Sequence, residues 1–234
     1  MRKIGALPIV TFLILAIIAI SSGILATRWS LGGLDFGDFR GVILTLAGIV
    51  FCYAFLMLVY RIFIRFFPIK EGLIEPESRD EFAYHVYVLF YLMFFYTLTR
   101  NGGMPVPLMR VVYIALGAKL GSNTYSGGII LDPPLFTAGS NTIIGEGSIL
   151  AAHNMLGDKM AHAPITLGSN VTIGGGSLIG AGVQVGDGAK VLAGSLVNPG
   201  TTIGPGETWF GVPARRLRGG LGKRKYETRE EPAS

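Results

Sequence analysis

A parallel β-helix carried behind N-terminal membrane helices is the fold this sequence predicts, and three observations predict it. Every sixth residue from Leu167 is apolar: Leu167, Ile173, Ile179, Val185, Val191, Val197, Ile203 and Trp209. Small or β-branched residues stand four places further on, at Val171, Ser177, Val183, Ala189, Ser195 and Thr201, and glycine follows Leu167, Ile173, Ile179, Val185 and Ile203. Charge nearly vanishes from residues 4–26, 41–60 and 82–99. A period of six is neither helical nor the alternation of an open strand. It fits a short strand and a sharp corner, repeated, with the apolar residue and its small partner lining an inner column and glycine relieving the corner. A flexible linker has no reason to hold eight apolar residues in phase.

Composition agrees. Half of the 234 residues are hydrophobic. The mean hydropathy of +0.51 is high for an ordinary soluble domain. The net charge of +5 is concentrated beside the apolar blocks and in the tail, so no nucleic-acid partner is needed to account for it. One cysteine, Cys52, excludes an intrachain disulfide and a cysteine-based metal site. No Walker loop and no Rossmann fingerprint following a strand is present.

Residues 1–67 read as a transmembrane helical hairpin. Residues 4–26 are long enough to cross a ~30 Å hydrocarbon core as a helix, with Arg2 and Lys3 before them and Arg28 after. A cleavable signal peptide is the competing reading, but its apolar core is usually only ~7–15 residues. A second uncharged run, 41–60, leads into Arg61 and Arg65, four apart on one helix face and able to snorkel toward phosphates. The balance of Arg2, Lys3, Arg61, Arg65 and Lys70 against Arg28 and Arg40 puts both ends of the hairpin in the cytoplasm.

Residues 68–117 read as a linker, an aromatic helix and a cap. Pro76 and the surrounding charges mark residues 70–81 as the linker. Residues 82–99 carry His85 among Phe82, Tyr84, Tyr87, Phe90, Tyr91, Phe94, Phe95 and Tyr96. That density suits the headgroup region or a packed seam, so an interfacial or re-entrant helix is expected, with a full span as the alternative. Residues 108–116, containing Arg110, are expected to cap the open coil end, whose strand edge would otherwise be unpaired.

Residues 118–214 form the β-helix domain. Between Leu120 and Leu150 the phase persists by number, although Ser126 and Asp132 occupy two apolar places. It breaks before Leu167, so residues 154–164 are expected to leave the wall as a loop. Residues 215–234 are a basic tail.

The run Leu167-Gly168-Ser169-Asn170-Val171-Thr172-Ile173-Gly174-Gly175-Gly176, with Gly211-Val212-Pro213-Ala214-Arg215 closing the repeats, resembles the hexapeptide-repeat acyltransferases. That group includes maltose, galactoside, serine and xenobiotic acetyltransferases. The resemblance covers the last half of the chain and does not reach the first hundred residues. It implies a left-handed β-helix, a homotrimer with sites between subunits, and acetyl-CoA or another acyl-CoA as donor.

Two of the three histidines, His153 and His162, flank the interruption. Acyl transfer to a hydroxyl or amine needs a base near neutrality, which imidazole supplies. By resemblance, His153 stands where the sugar acetyltransferases place their catalytic histidine, and His162 where serine acetyltransferases place one in the acceptor pocket. A histidine that only hydrogen-bonds its loop is the bland reading of either. Asp132 and Asn154 are candidates to orient the imidazole or contact the acceptor. Gly175, Gly176, Ala193, Gly194 and Ser195 offer small side chains for a pantetheine groove, while resemblance places Pro213, Ala214, Arg215 and Arg218 near the nucleotide. Asn198-Pro199 replaces the Thr-Lys of the sugar acetyltransferases, which keeps a longer acyl chain or an acyl-carrier protein open as donor. No metal is expected, since His85 sits in the third apolar block and cannot easily complete a three-histidine set with the other two.

The expectation is a membrane-anchored acyltransferase on the cytoplasmic face of the inner membrane. Its acceptor would be membrane-associated, a glycolipid or polyprenyl-linked saccharide. The alternative is a non-catalytic trimeric scaffold that recruits a membrane complex.

Overall fold

The computed structural model describes residues 3–100, 104–157 and 159–217. Two long helices, α1 (Ala6–Leu31) and α2 (Arg40–Phe66), pack along each other. The buried face of α1 is Phe12, Ala16, Ala19, Gly23 and Thr27, and its small residues allow close approach. At Gly23 an added Cβ would stand 2.6 Å from Cys52 Cα, so only glycine fits. Ile17, Ile24, Leu46 and Val50 face outward, an apolar exterior suited to lipid. Residues 6–31, 37–66 and 79–100 are each long and apolar enough to cross a membrane.

The linker is more ordered than its composition suggests. It carries a strand, β1 (Gly72–Ile74). The aromatic block then forms one continuous helical run: α3 (Arg79–Phe90), a π-turn over Tyr91–Phe95, and α4 (Tyr96–Arg100). Ser78 caps it by accepting a hydrogen bond from the Glu81 N–H at 3.1 Å. The run is seated between hairpin and coil. Phe90 meets Phe12 edge-on at 5.2 Å, and Phe95 meets Tyr60 at 5.6 Å.

A short helix, α5 (Val106–Leu116), ends at Gly117 in the left-handed conformation, and the coils begin. The first supplies β2 (Lys119–Leu120), β3 (Tyr125–Ser126) and β4 (Ile129–Ile130). The second supplies β5 (Phe136–Ala138), β6 (Ile143–Ile144) and β7 (Ile149–Leu150). After the interruption, formed by β8 (His153–Leu156) and β9 (Lys159–His162), come β10 (Ile165–Leu167), β11 (Thr172–Ile173) and β12 (Leu178–Ile179). Then follow β13 (Gln184–Val185), β14 (Lys190–Val191), β15 (Leu196–Val197) and β16 (Thr202–Ile203). An antiparallel pair, β17 (Thr208–Gly211) and β18 (Ala214–Arg216), closes the stack.

These strands stack into three walls in the orders β16-β13-β10-β5-β2, β17-β14-β11-β6-β3 and β15-β12-β7-β4, with parallel pairing throughout each. The result is a parallel β-helix. Its inner columns are those the hexads mark: Leu167, Ile173, Ile179, Val185, Val191, Val197 and Ile203 are buried, with Val171, Ser177, Val183, Ala189 and Ser195 beside them. Asn123, Asn141 and Asn170 turn one corner at φ of 54, 56 and 58°, a conformation asparagine tolerates better than most residues.

Hydrogen bonding along the walls runs one way: first-coil N–H groups donate to second-coil carbonyls, as from Gly127 to Ile144 and Ile129 to Ser148. First-coil carbonyls therefore face outward with no earlier coil to receive them. The N-terminal helices supply the donors. Arg110 donates to the Gly121 and Thr124 carbonyls, Tyr113 to Gly128, Tyr91 to Ile130 and Tyr87 to Leu131, at 2.7–2.9 Å. This gives a role to two tyrosines of the aromatic block, Tyr87 and Tyr91, whose hydroxyls satisfy edge acceptors that phenylalanine could not.

Candidate active site

Residues 154–164 are expected to leave the wall as a loop. They leave it instead as a hairpin, because β8 and β9 pair with each other and β9 also pairs with β1, giving the antiparallel order β1-β9-β8. The extra strand comes from the supposed linker, which satisfies an edge that a bare hairpin would leave open. His153 and His162 face each other across the neck as direct partners, and Gly72 lies opposite His162 on the other side. The Ala163 N–H closes the neck onto the Ala152 carbonyl at 2.8 Å.

Asp132 holds an inward-facing place in the first coil, where the repeat otherwise puts an apolar residue, and is 2% exposed. Such a buried carboxylate needs partners. Its Oδ2 accepts from the Ala152 N–H at 2.9 Å and from His153 Nδ1 at 2.7 Å. Because a carboxylate oxygen accepts, His153 carries its proton on Nδ1 and presents Nε2 as a bare lone pair. The bond to Asp132 raises the His153 pKa above 6.5 against the opposing effect of burial. The His153 side chain is 26% exposed, so the ring is reachable from outside.

His162 differs in burial, in partner and in the direction of its pKa shift. It is 3% exposed. Its Nδ1 lies 3.1 Å from the Lys70 carbonyl, an acceptor only, so the proton again sits on Nδ1. Burial lowers its pKa, partly offset by the nearby Asp132 charge, and keeps the ring neutral. Its Nε2 is buried and meets no hydrogen-bond partner among the described residues. Tyr84 packs on this ring at 4.6 Å between centroids and lies 6.4 Å from His153.

Asp132, His153 and His162 thus converge on one corner, between the third wall and the first. Asn154 sits opposite Ala161 in the hairpin, and the imidazole is held by Asp132 instead. The expected donor residues are elsewhere. Gly175, Gly176, Ala193 and Gly194 lie at the corner between the second and third walls, and the third wall, with β12 and β15, stands between that corner and the one the histidines occupy. The Gly194 N–H donates to the Gly175 carbonyl and the Gly176 N–H to Glu146, so the corner is a ladder of small residues. Ser195 does not join it. Its side chain turns inward, and Oγ donates to the Leu192 carbonyl at 2.6 Å, completing a core polar group. Pro213 and Arg215 are exposed at the far end, whereas Ala214 is buried beneath the closing hairpin. Arg218 lies outside the described residues. Arg216, not singled out from sequence, pairs with Glu207 at 2.9 Å. Lys70 and Tyr84 were missed as well: a backbone carbonyl leaves no trace in sequence, and Tyr84 is one aromatic among many.

A coil opened at one corner beside a histidine is the arrangement the hexapeptide-repeat resemblance implies, and the carboxylate partner is Asp132. No protein-family model and no curated protein matches the chain. Solved structures do. A hexapeptide-repeat-containing acetyltransferase from Vibrio cholerae is 24% identical over 52% of this chain and 84% of its own, with a TM-score of 0.44. A galactoside acetyltransferase in complex with coenzyme A is 21% identical over 63% and 86%, with a TM-score of 0.49. A serine acetyltransferase from Brucella abortus is 20% identical over 86% and 68%, with a TM-score of 0.40. The chain resembles the hexapeptide-repeat acetyltransferases.

Proposed function

We propose that this chain is a membrane-anchored acyltransferase that moves an acyl group from acyl-CoA to a hydroxyl or amine of a membrane-associated acceptor. The observation that carries the reading is the bond from His153 to a carboxylate buried in an otherwise apolar register position. That carboxylate fixes one tautomer and stabilises the imidazolium that forms later. Nε2 takes the acceptor's proton as its oxygen or nitrogen attacks the thioester carbonyl. The C–S bond of the tetrahedral intermediate then breaks, and the imidazolium returns the proton to the departing thiolate. His162 Nε2, neutral and unpaired, takes a hydrogen bond from a second donor on the acceptor.

The donor lies along the small-residue corner of a neighbouring copy. The glycine ladder and the histidines occupy different corners of one chain, so a trimer of left-handed coils supplies the juxtaposition. Gly175, Gly176, Ala193 and Gly194 flank the pantetheine, and Arg215, beside Pro213, meets a phosphate. The chain lies in the inner membrane with the coil in the cytoplasm, where CoA is found. The bonds from Tyr87 and Tyr91 to the coil edge support a third apolar helix that lies against the protein and not through the bilayer. An anchor of this kind favours a glycolipid or a polyprenyl-linked saccharide as acceptor.

Membranes containing the protein, incubated with radiolabelled acetyl-CoA, transfer label to extractable lipid or glycan. His153→Ala abolishes transfer with the trimer intact. Undiminished transfer by that variant removes His153 from the chemistry, and an intact trimer with no activity in either protein favours the scaffold reading.

A further inference from the structure

The cap helix α5 has two apolar faces. Met109, Tyr113 and Leu116 pack on the first coil, while Val106, Leu108, Val111 and Ile114 are exposed, Val111 at 60%. Its one charged residue, Arg110, is turned inward to the Gly121 and Thr124 carbonyls, so the outer face carries no charge. An uncharged helix face open to water is unfavourable, and something of matching chemistry must cover it.

The connection to α2 identifies the cover. The Tyr60 hydroxyl donates to the Leu116 carbonyl at the C-terminal end of α5, at 2.9 Å. Tyr60 adjoins Arg61 and lies one turn before Arg65, the two arginines that mark the phosphate level of a spanning α2. The end of α5 is therefore tied at the depth where headgroups meet acyl chains.

Given the membrane-anchored reading above, on which this rests, we propose that the outer face of α5 is a lipid-binding seat, lying in the bilayer interface with the first coil set directly upon it. Asp132 follows the first coil and His153 the second, coils stack ~4.8 Å apart and α5 is itself ~10 Å across, so the base stands roughly 15–20 Å from the outer face of α5. An acceptor whose headgroup extends that far from its lipid then reaches the imidazole while the lipid stays in the membrane.

The test is site-specific fluorescence on the full-length chain in phosphatidylethanolamine–phosphatidylglycerol vesicles. In a Cys52→Ser background, Val111→Cys, Leu46→Cys and Leu178→Cys are each labelled with an environment-sensitive dye. All three replace exposed side chains. The seat predicts that the dye at position 111 shifts to the blue and loses most of its emission to acyl-brominated lipid. The dye at 178 is expected to stay red and be quenched only by aqueous iodide. If 46 is quenched by brominated lipid but 111 behaves like 178, the seat is wrong and the anchor stands. If 46 also escapes brominated lipid, the anchor itself fails. A blue shift at 111 that persists in detergent, ignores brominated lipid and accompanies chain-to-chain crosslinking assigns the face to a second copy and overturns the proposal.

Discussion

His153 Nδ1 lies 2.7 Å from Asp132 Oδ2, and the two residues follow consecutive coils of the same stack. The pairing ties the excursion's first strand to the wall below and leaves only Nε2 free to react. It also sets the pH behaviour. In the proposed reaction His153 works as a base when neutral, and its pKa is raised above 6.5 by Asp132. Activity therefore rises with pH through that elevated value.

Asp132→Asn is expected to lower the transfer rate about 100-fold, within the usual contribution of a positioned base. The residual activity should have its acidic limb at lower pH, because the raising partner is gone. A pH–rate profile of wild type against the variant checks both parts. An acidic limb that stays in place would separate Asp132 from the titrating base.

For His162, the lone pair at Nε2 predicts an effect on the acceptor and not the donor. His162→Ala should raise the acceptor KM about 10-fold, the scale of one hydrogen bond to a buried group. His162→Gln, which restores an acceptor oxygen, should recover part of it. Initial-rate kinetics with each substrate varied in turn make the distinction.

The same histidine has a stability signature. Its pKa is lowered mainly by burial, so the folded state resists the proton that the unfolded chain accepts. Stability from the neutral ring is present above about pH 6.5, the unfolded value, and is lost as pH falls through the lower folded value. His153 has the opposite sign, gaining stability on protonation. Replacing His162 by Leu should flatten the acid loss, read as the thermal midpoint of the detergent-solubilised protein across pH 5–7.

Gly72 adopts φ of 109° with open space around it, so a side chain there meets backbone strain and not a clash. Gly72→Val should cost about 1–2 kcal/mol locally. It should loosen β1 and displace the Lys70 carbonyl from His162. The expected outcome is a raised acceptor KM with an unchanged melting temperature for the coil. Unaltered kinetics would detach the strap from the site.

Within the hairpin, Gly23→Val forces side-chain atoms into the Cys52 backbone. Overpacking of this kind costs about 1–3 kcal/mol. Loss of thermal stability in detergent, with the coil's β-rich circular dichroism retained longer than the helical signal, would report it.

The coil was legible because its signal is repetitive: eight apolar residues in one phase specify wall, corner and core together. Asp132 was legible as a polar residue in an inward place, although its partner needed coordinates. Residues 154–164 were misread because the hairpin's third strand comes from Gly72–Ile74, about ninety residues earlier, and no local pattern announces such a pairing. Gly175, Gly176, Ala193 and Gly194 share a corner away from the histidines, and because glycine serves turn geometry at every corner the sequence does not mark which one they occupy. Ser195 stands four places after Val191, in the inner column that the hexads themselves mark, and its side chain lies there and not in a groove.

The tyrosines and the arginine that bond the first coil's carbonyls have a practical implication for preparing this protein. Cutting the chain near residue 117 to obtain a soluble fragment would strip the donors from Gly121, Thr124, Gly128, Ile130 and Leu131 at once, along with the strand beside His162. Such a fragment would present a raw, sticky rim and a half-built pocket, and negative assays on it would say nothing about the intact protein.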